Sequence, residues 1–174
     1  LHPMAMIVPT WWHESSPTIL NLSGVTLNDI AALDSTGTPE YFAWSLGGQT
    51  DWGYNVSPRA PFVQSRLQRL MDTLTESVGF ELVYEDVLGA KDPWPDWSSS
   101  APDTVDVDGW LAHTRTYQDR RLLTESGYDK LLETEVGFLG GGAIPSWAAP
   151  DGNAWASVWP MAQALWRDKV LHYH

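Results

Sequence analysis

The sequence predicts an α+β domain: an antiparallel sheet of N-terminal strands plus residues 80–87, packed by two main amphipathic helices at about 60–78 and 154–172. Three observations predict it. Short runs of β-branched and aromatic residues, cut by Gly, Pro, Ser and Asp clusters, fill residues 5–46. Apolar residues recur with a period near 3.6 from Phe62 to Val78. A second such stripe runs from Trp155 through Val158, Trp159, Ala162 and Leu165 to Trp166.

In chain order, Ala5–Trp12, Thr18–Leu22, Gly24–Leu27 and Tyr41–Leu46 read as strands of a meander or sandwich. Residues 47–60 read as a loop. The first helix takes its start from Pro58 and Pro61 and its stop from Gly79. Phe80–Val87 reads as the next strand. Periodicity is then lost, and a long Trp- and Asp-rich loop is expected at about 88–110 within a single domain spanning 1–174. Trp110–Thr116 fits a strand or a short helix. Ser126 with Asp129 resembles a capping box opening a helix to about Glu133. Gly137–Pro145 reads as a glycine-rich turn region. The last helix carries Pro160, expected to kink it or mark its start, and His172 and His174 at its end.

The chain has 174 residues, 22 Asp and Glu against 10 Lys and Arg, and a formal net charge of -12. Phosphate backbones and anionic membrane surfaces call for the opposite sign, so nucleic acid and membranes are poor partners. No run of 18 apolar residues exists to insert into a bilayer. The start, Leu1–Met6, lacks the basic region and apolar core of a signal peptide, and a soluble protein is expected. Cysteine is absent, which removes disulfides, thiolate catalysis and Cys-based metal sites. Sequons stand at Asn21 and Asn55.

Tryptophan is the anomaly. Eleven in 174 residues is about five times ordinary usage for so rare a residue. Every buried indole N–H needs an acceptor. Eleven such rings are more than a fold of this mass readily hides, so some are expected to serve another molecule.

Chemistry motifs are sparse. No Gly-x-Ser-x-Gly elbow occurs, and His13 beside Glu14–Ser16 makes no triad by adjacency alone. Gly140–Gly142 is not followed by Lys and Ser or Thr, so it is no P-loop. The order strand, long helix, strand, Gly-rich stretch and last helix resembles metzincin-type zinc peptidases in pattern only, because His-Glu-x-x-His is missing. Asp103, Asp106 and Asp108, with Gly109, approximate half of a calcium loop. Arg115 takes the place of the acid that would close it. No other cofactor is expected.

Residues 81–108 hold eight acids (Glu81, Glu85, Asp86, Asp92, Asp96, Asp103, Asp106, Asp108) against Lys91, with Trp94, Trp97 and Trp110 beside them. Acids plus tryptophan suit a sugar or cation site. They equally suit a protein-docking loop, since Trp dominates interface hot spots. The favoured expectation is a non-catalytic interaction or assembly module, such as a structural component of a virion or other particle. It would dock a protein partner or a second copy through Trp94, Trp97, Trp110 and Trp52. Two alternatives use the same cluster: an acid-residue hydrolase acting on carbohydrate with His113 as helper, or a carbohydrate-binding domain.

Overall fold

The computed structural model describes residues 2–46, 48–88, 95–98, 101, 107–125, 137–139 and 171–173. Its elements run β1 (Met4–Ile7), β2 (Trp11–His13), α1 (Pro17–Leu20), β3 (Tyr41–Leu46), β4 (Gln49–Asn55), α2 (Pro61–Asp72), β5 (Leu82–Glu85), α3 (Val107–Thr116), β6 (Leu122–Glu125), β7 (Gly137–Leu139) and β8 (Leu171–Tyr173). Short 3-10 turns sit at Leu27–Asp29 and Gln118–Arg120. Mixed helices and strands, with one parallel and one antiparallel sheet, make the fold α+β.

The larger sheet has the order β1-β5-β6-β7-β8, and every neighbouring pair is parallel. This corrects the expectation that residues 80–87 extend an antiparallel sheet: β5 pairs Met4↔Leu82 to Ile7↔Glu85 in the same direction. Its chain reaches β1's side through α2, and a helical crossover returns a strand parallel to its predecessor. Ala5–Trp12 is likewise two strands in two sheets, divided at Pro9, whose missing N–H ends a ladder. Thr18–Leu22 is not a strand. Ser16 accepts from the Ile19 amide and Pro17 opens the helical turn α1. Leu27 begins a 3-10 turn stapled by Asp29, which accepts from the Thr26 amide at 2.7 Å.

Strand β7 occupies the start of the expected glycine-rich turn, and β8 the end of the expected last helix. The rest of that helix, the Ser126 capping box and Gly140–Gly142 lie outside the described residues.

The expected first helix is α2, extended by a π-helical segment, Thr73–Val78. Pro61 sits in its first turn, and Gly79 ends it with a left-handed φ of 87°. Val63, Leu67 and Met71 are its buried residues, one per turn. The stripe does not continue to Val78, which is exposed; the wider π turn rotates it off the core.

Side chains of β1 and β5 alternate between faces. Val83 packs with Met71 of α2, Tyr117 after α3, Leu122 of β6 and Ile7. That face of the parallel sheet is therefore covered by helices. On the other face Tyr84 and Leu123 are buried, whereas Met4 and Met6 stand exposed. A second cluster joins Ala60, Val63 and Leu67 of α2 to Trp110 and Leu111 of α3, with Ile30, Val56 and Leu88. Met71 is fully buried. Met71→Ala is expected to cost about 2–5 kcal/mol as a core cavity, measured by urea unfolding.

Candidate functional site

All five parallel strands point the same way, so their C-terminal ends share one edge. The connection from β1 to α2 leaves that edge at Val8 and returns at Ala60, carrying the antiparallel sheet β2-β4-β3. The connection from β5 to α3 leaves it at Asp86. Ligands of parallel α/β sheets gather outside the carboxyl ends of the strands, on such connections.

The two connections are stitched together. The Trp97 amide donates to the Leu33 carbonyl at 2.9 Å. Asp96 returns the contact, its Oδ1 accepting from the amides of Leu33 at 3.2 Å and Ser98 at 2.9 Å. Beneath this stitch the Val56 amide donates to Thr10, and the Ala32 amide to Asn55. Thr10, Asn55 and Asp96 are buried, and each keeps one side-chain oxygen without a partner among the described residues. Asn55 is only 1% accessible, so its sequon is closed to glycosylation in the folded chain.

The small sheet presents aromatics on both faces. Tyr41 and Tyr54 are cross-strand partners, and Trp52, two residues from Tyr54, shares their face. The Tyr41 ring stacks on Trp52 with centroids 5.0 Å apart at 22°, and lies 4.8 Å from Tyr54. Its hydroxyl donates to the Glu14 carboxylate. That hydrogen bond, then burial and the Glu14 charge, push the Tyr41 phenol up to about 12. The opposite face carries Trp11, His13, Phe42, Trp44 and Asp51. Gly53 makes room there: a Cβ on it would lie 2.5 Å from the Trp11 ring.

The sequence-predicted binding residues part company here. Trp52 is 44% and Trp97 53% exposed, on the first and second connections respectively. Trp110 is not in a loop: α3 begins at Val107 and seats the Trp110 ring in the core at 5% exposure. Its helical neighbours explain this. Leu111, His113, Thr114 and Tyr117 are buried with it, an i, i+1, i+3, i+4, i+7 face. Trp94 lies outside the described residues. Sequence reasoning missed Tyr41, Trp44 and Glu14: Tyr41–Leu46 reads as a strand, but its run Tyr-Phe-Ala-Trp does not alternate and so does not tell which ring faces out.

Of the described acids of 81–108, four are spent on structure. Glu81 pairs with His2. Glu85 is fully buried on the helix-facing side and its Oε1 lies 2.5 Å from His113 Nε2. Asp86 accepts from the Tyr84 hydroxyl at 3.0 Å. Asp96 holds the stitch. Of the calcium candidates, Asp108 stands exposed in the first turn of α3, with Gly109 inside that helix; Asp103 and Asp106, like Asp92, lie outside the described residues. Among the described residues no three His, Asp or Glu gather as a metal site, and no helix is long and apolar enough to cross a membrane.

Ser15, His13 and Asp51 do meet in space. Ser15 Oγ lies 2.7 Å from His13 Nδ1, and His13 Nε2 lies 3.5 Å from Asp51 Oδ1. The Ser15 amide also donates to Nδ1, at 3.0 Å, so that nitrogen is the acceptor of a tight turn. The next amide, Ser16, is committed to the His13 carbonyl at 2.9 Å. It is therefore unavailable as an oxyanion donor, and the trio reads as a turn rather than a hydrolase centre.

The 34–38 turn of the first connection is held by charge. Asp34 accepts from the Thr36 hydroxyl and the Thr36 and Thr38 amides at 2.7–2.9 Å. The Thr36 hydroxyl first, then the Thr38 amide, hold its carboxyl below the ordinary range. A depressed carboxyl stabilises above its unfolded pKa and loses that contribution as pH falls through its folded value. Hydrogen-exchange protection of the Thr36 and Thr38 amides is expected at neutral pH and to fall away only below the ordinary Asp range.

No protein-family model matches the sequence, and no curated protein matches it. Solved structures do. The α-N-acetylgalactosaminidase NagBb of Bifidobacterium bifidum matches 97% of this chain with a TM-score of 0.70 at 12% identity, and its GalNAc complex does so at 0.68 and 12%. TtGalA, the α-galactosidase of Thermus thermophilus in complex with stachyose, matches 83% with a TM-score of 0.54 at 12% identity. The chain spans 26% of NagBb and 30% of TtGalA. At this identity the likeness establishes the fold that the chain shares with these carbohydrate-active proteins.

Proposed function

We propose that the chain binds carbohydrate across the C-terminal edge of its parallel sheet, as part of a glycoside-hydrolase-like β/α domain. One observation carries the reading. The exposed aromatics Tyr41, Trp44, Trp52 and Trp97 all stand on the two connections that leave that edge. Flat aromatic faces pack against the C–H faces of sugars, and pockets of this fold type open at that edge. The fold shared with two glycosidases supports the same reading. Binding is the claim; Glu81, Glu85, Asp86 and Asp96 have structural partners, and no catalytic pair is assigned. Titrating the chain with stachyose and with GalNAc tests it, read by indole fluorescence and calorimetry. A saturable response to either is expected, and silence to both removes the reading.

Protein docking has a narrower support, the exposed Met4 and Met6 on the sheet face opposite the helices. Exposed apolar surface of this kind suits a protein interface. Light scattering over a concentration series would show self-association if that face serves a second copy.

A further inference from the structure

We infer that the Tyr41–Trp52 ledge ranks sugars by charge, taking amine-bearing sugars ahead of neutral ones and turning away anionic ones. The inference rests on the sugar-binding reading and names the ligand class of one part of that site. The rings lie flat on each other at 22° and are 42% and 44% exposed. Glu14 sits at the edge of the stack, tied to the Tyr41 hydroxyl. A carboxylate has more acceptor positions than that single bond uses, so it can also take an ammonium resting against the ring face. The aromatic face itself attracts cations.

The surroundings reinforce the sign. Between Val8 and Pro58 the first connection carries Glu14, Asp29, Asp34, Glu40 and Asp51 and no Lys or Arg; Arg59 is the first cation in the sequence. A uronate or sulfated sugar resting on the stack would meet the Glu14 carboxylate at its edge, while Arg66 of α2 reaches the first connection at Thr18. An amine-bearing sugar would be drawn by that carboxylate and by the chain's net charge of -12.

The test is calorimetric titration of the chain, at low salt, with three oligosaccharides of equal length: a glucosamine oligomer, its N-acetylated form and an oligogalacturonate. The amine oligomer is expected to bind at least about threefold tighter than the N-acetylated one, with the uronate weakest. Glu14→Gln keeps an acceptor for Tyr41 and should erase the amine preference while leaving neutral binding within about twofold. Trp52→Ala should weaken the amine and N-acetylated oligomers alike. Equal affinity for uronate and amine overturns the inference, as does an amine preference that survives Glu14→Gln, or an unchanged affinity for both oligomers in Trp52→Ala, while sugar binding itself still stands. If none of the three oligomers binds, and stachyose and GalNAc do not either, the underlying reading has failed and takes the ranking with it.

Discussion

Trp52→Ala is expected to weaken sugar binding by about 2 kcal/mol, roughly thirtyfold, as truncation of an aromatic anchor commonly does. Trp97→Ala should act in the same direction from the second connection. Both rings are about half exposed, so neither change opens a core cavity, and surface substitutions of this kind usually move stability by less than about 0.5 kcal/mol. Calorimetric affinity and urea unfolding on the same samples separate the two effects. Loss of affinity with unchanged unfolding is the expected pair of results. A large loss of stability at either position would mean the ring packs the connections together rather than facing a ligand.

His113→Ala should have the opposite profile: a large stability loss, about 3–5 kcal/mol, with sugar binding untouched in the protein that remains folded. Glu85 is fully buried, and its Oε1 meets His113. Glu85 Oε2 has no partner among the described residues. Removing the imidazole leaves a buried carboxylate uncompensated, which is the costly way to break such a pair. The double change Glu85→Leu with His113→Phe removes both polar partners and should recover most of the loss, because the ring site between Trp110 and Tyr117 is apolar. Denaturant midpoints of the two variants decide it. A double variant as unstable as His113→Ala would show that the pair contributes more than it costs to bury.

Local signals carried the parts of the fold that depend on one segment. The four-residue spacing of Val63, Leu67 and Met71, with Pro61 before it and Gly79 after it, specifies α2 without reference to anything distant. Ser16–Pro17 carried an equally local signal for a helical turn, hidden by the β-branched residues that follow. Strand direction was not legible. The partner of Met4 is Leu82, far along the chain, and alternation within either strand is the same whether they run parallel or antiparallel. That direction locates the site, because only a parallel sheet gathers its outgoing connections on one edge.

The candidate site was half legible for the same reason. The tryptophan surplus marked the chain as unusual, and two of the four named rings are exposed on the outgoing connections. Composition could not sort Trp110 from Trp52: one belongs to a helical face that turns inward, the other to an alternating strand face that turns outward. The acid count misled more. Glu81, Glu85, Asp86 and Asp96 each hold another part of the fold, and a run of acids in sequence says nothing of which direction each one points.

Sugar binding at this edge requires that particular indoles sense the ligand. Indole N–H signals assigned by nuclear magnetic resonance, followed during titration with stachyose or GalNAc, should show Trp52 and Trp97 shifting in a saturable way while Trp110 stays fixed. If Trp52 and Trp97 hold still at saturating sugar, the C-terminal edge of the parallel sheet is not where this chain meets carbohydrate.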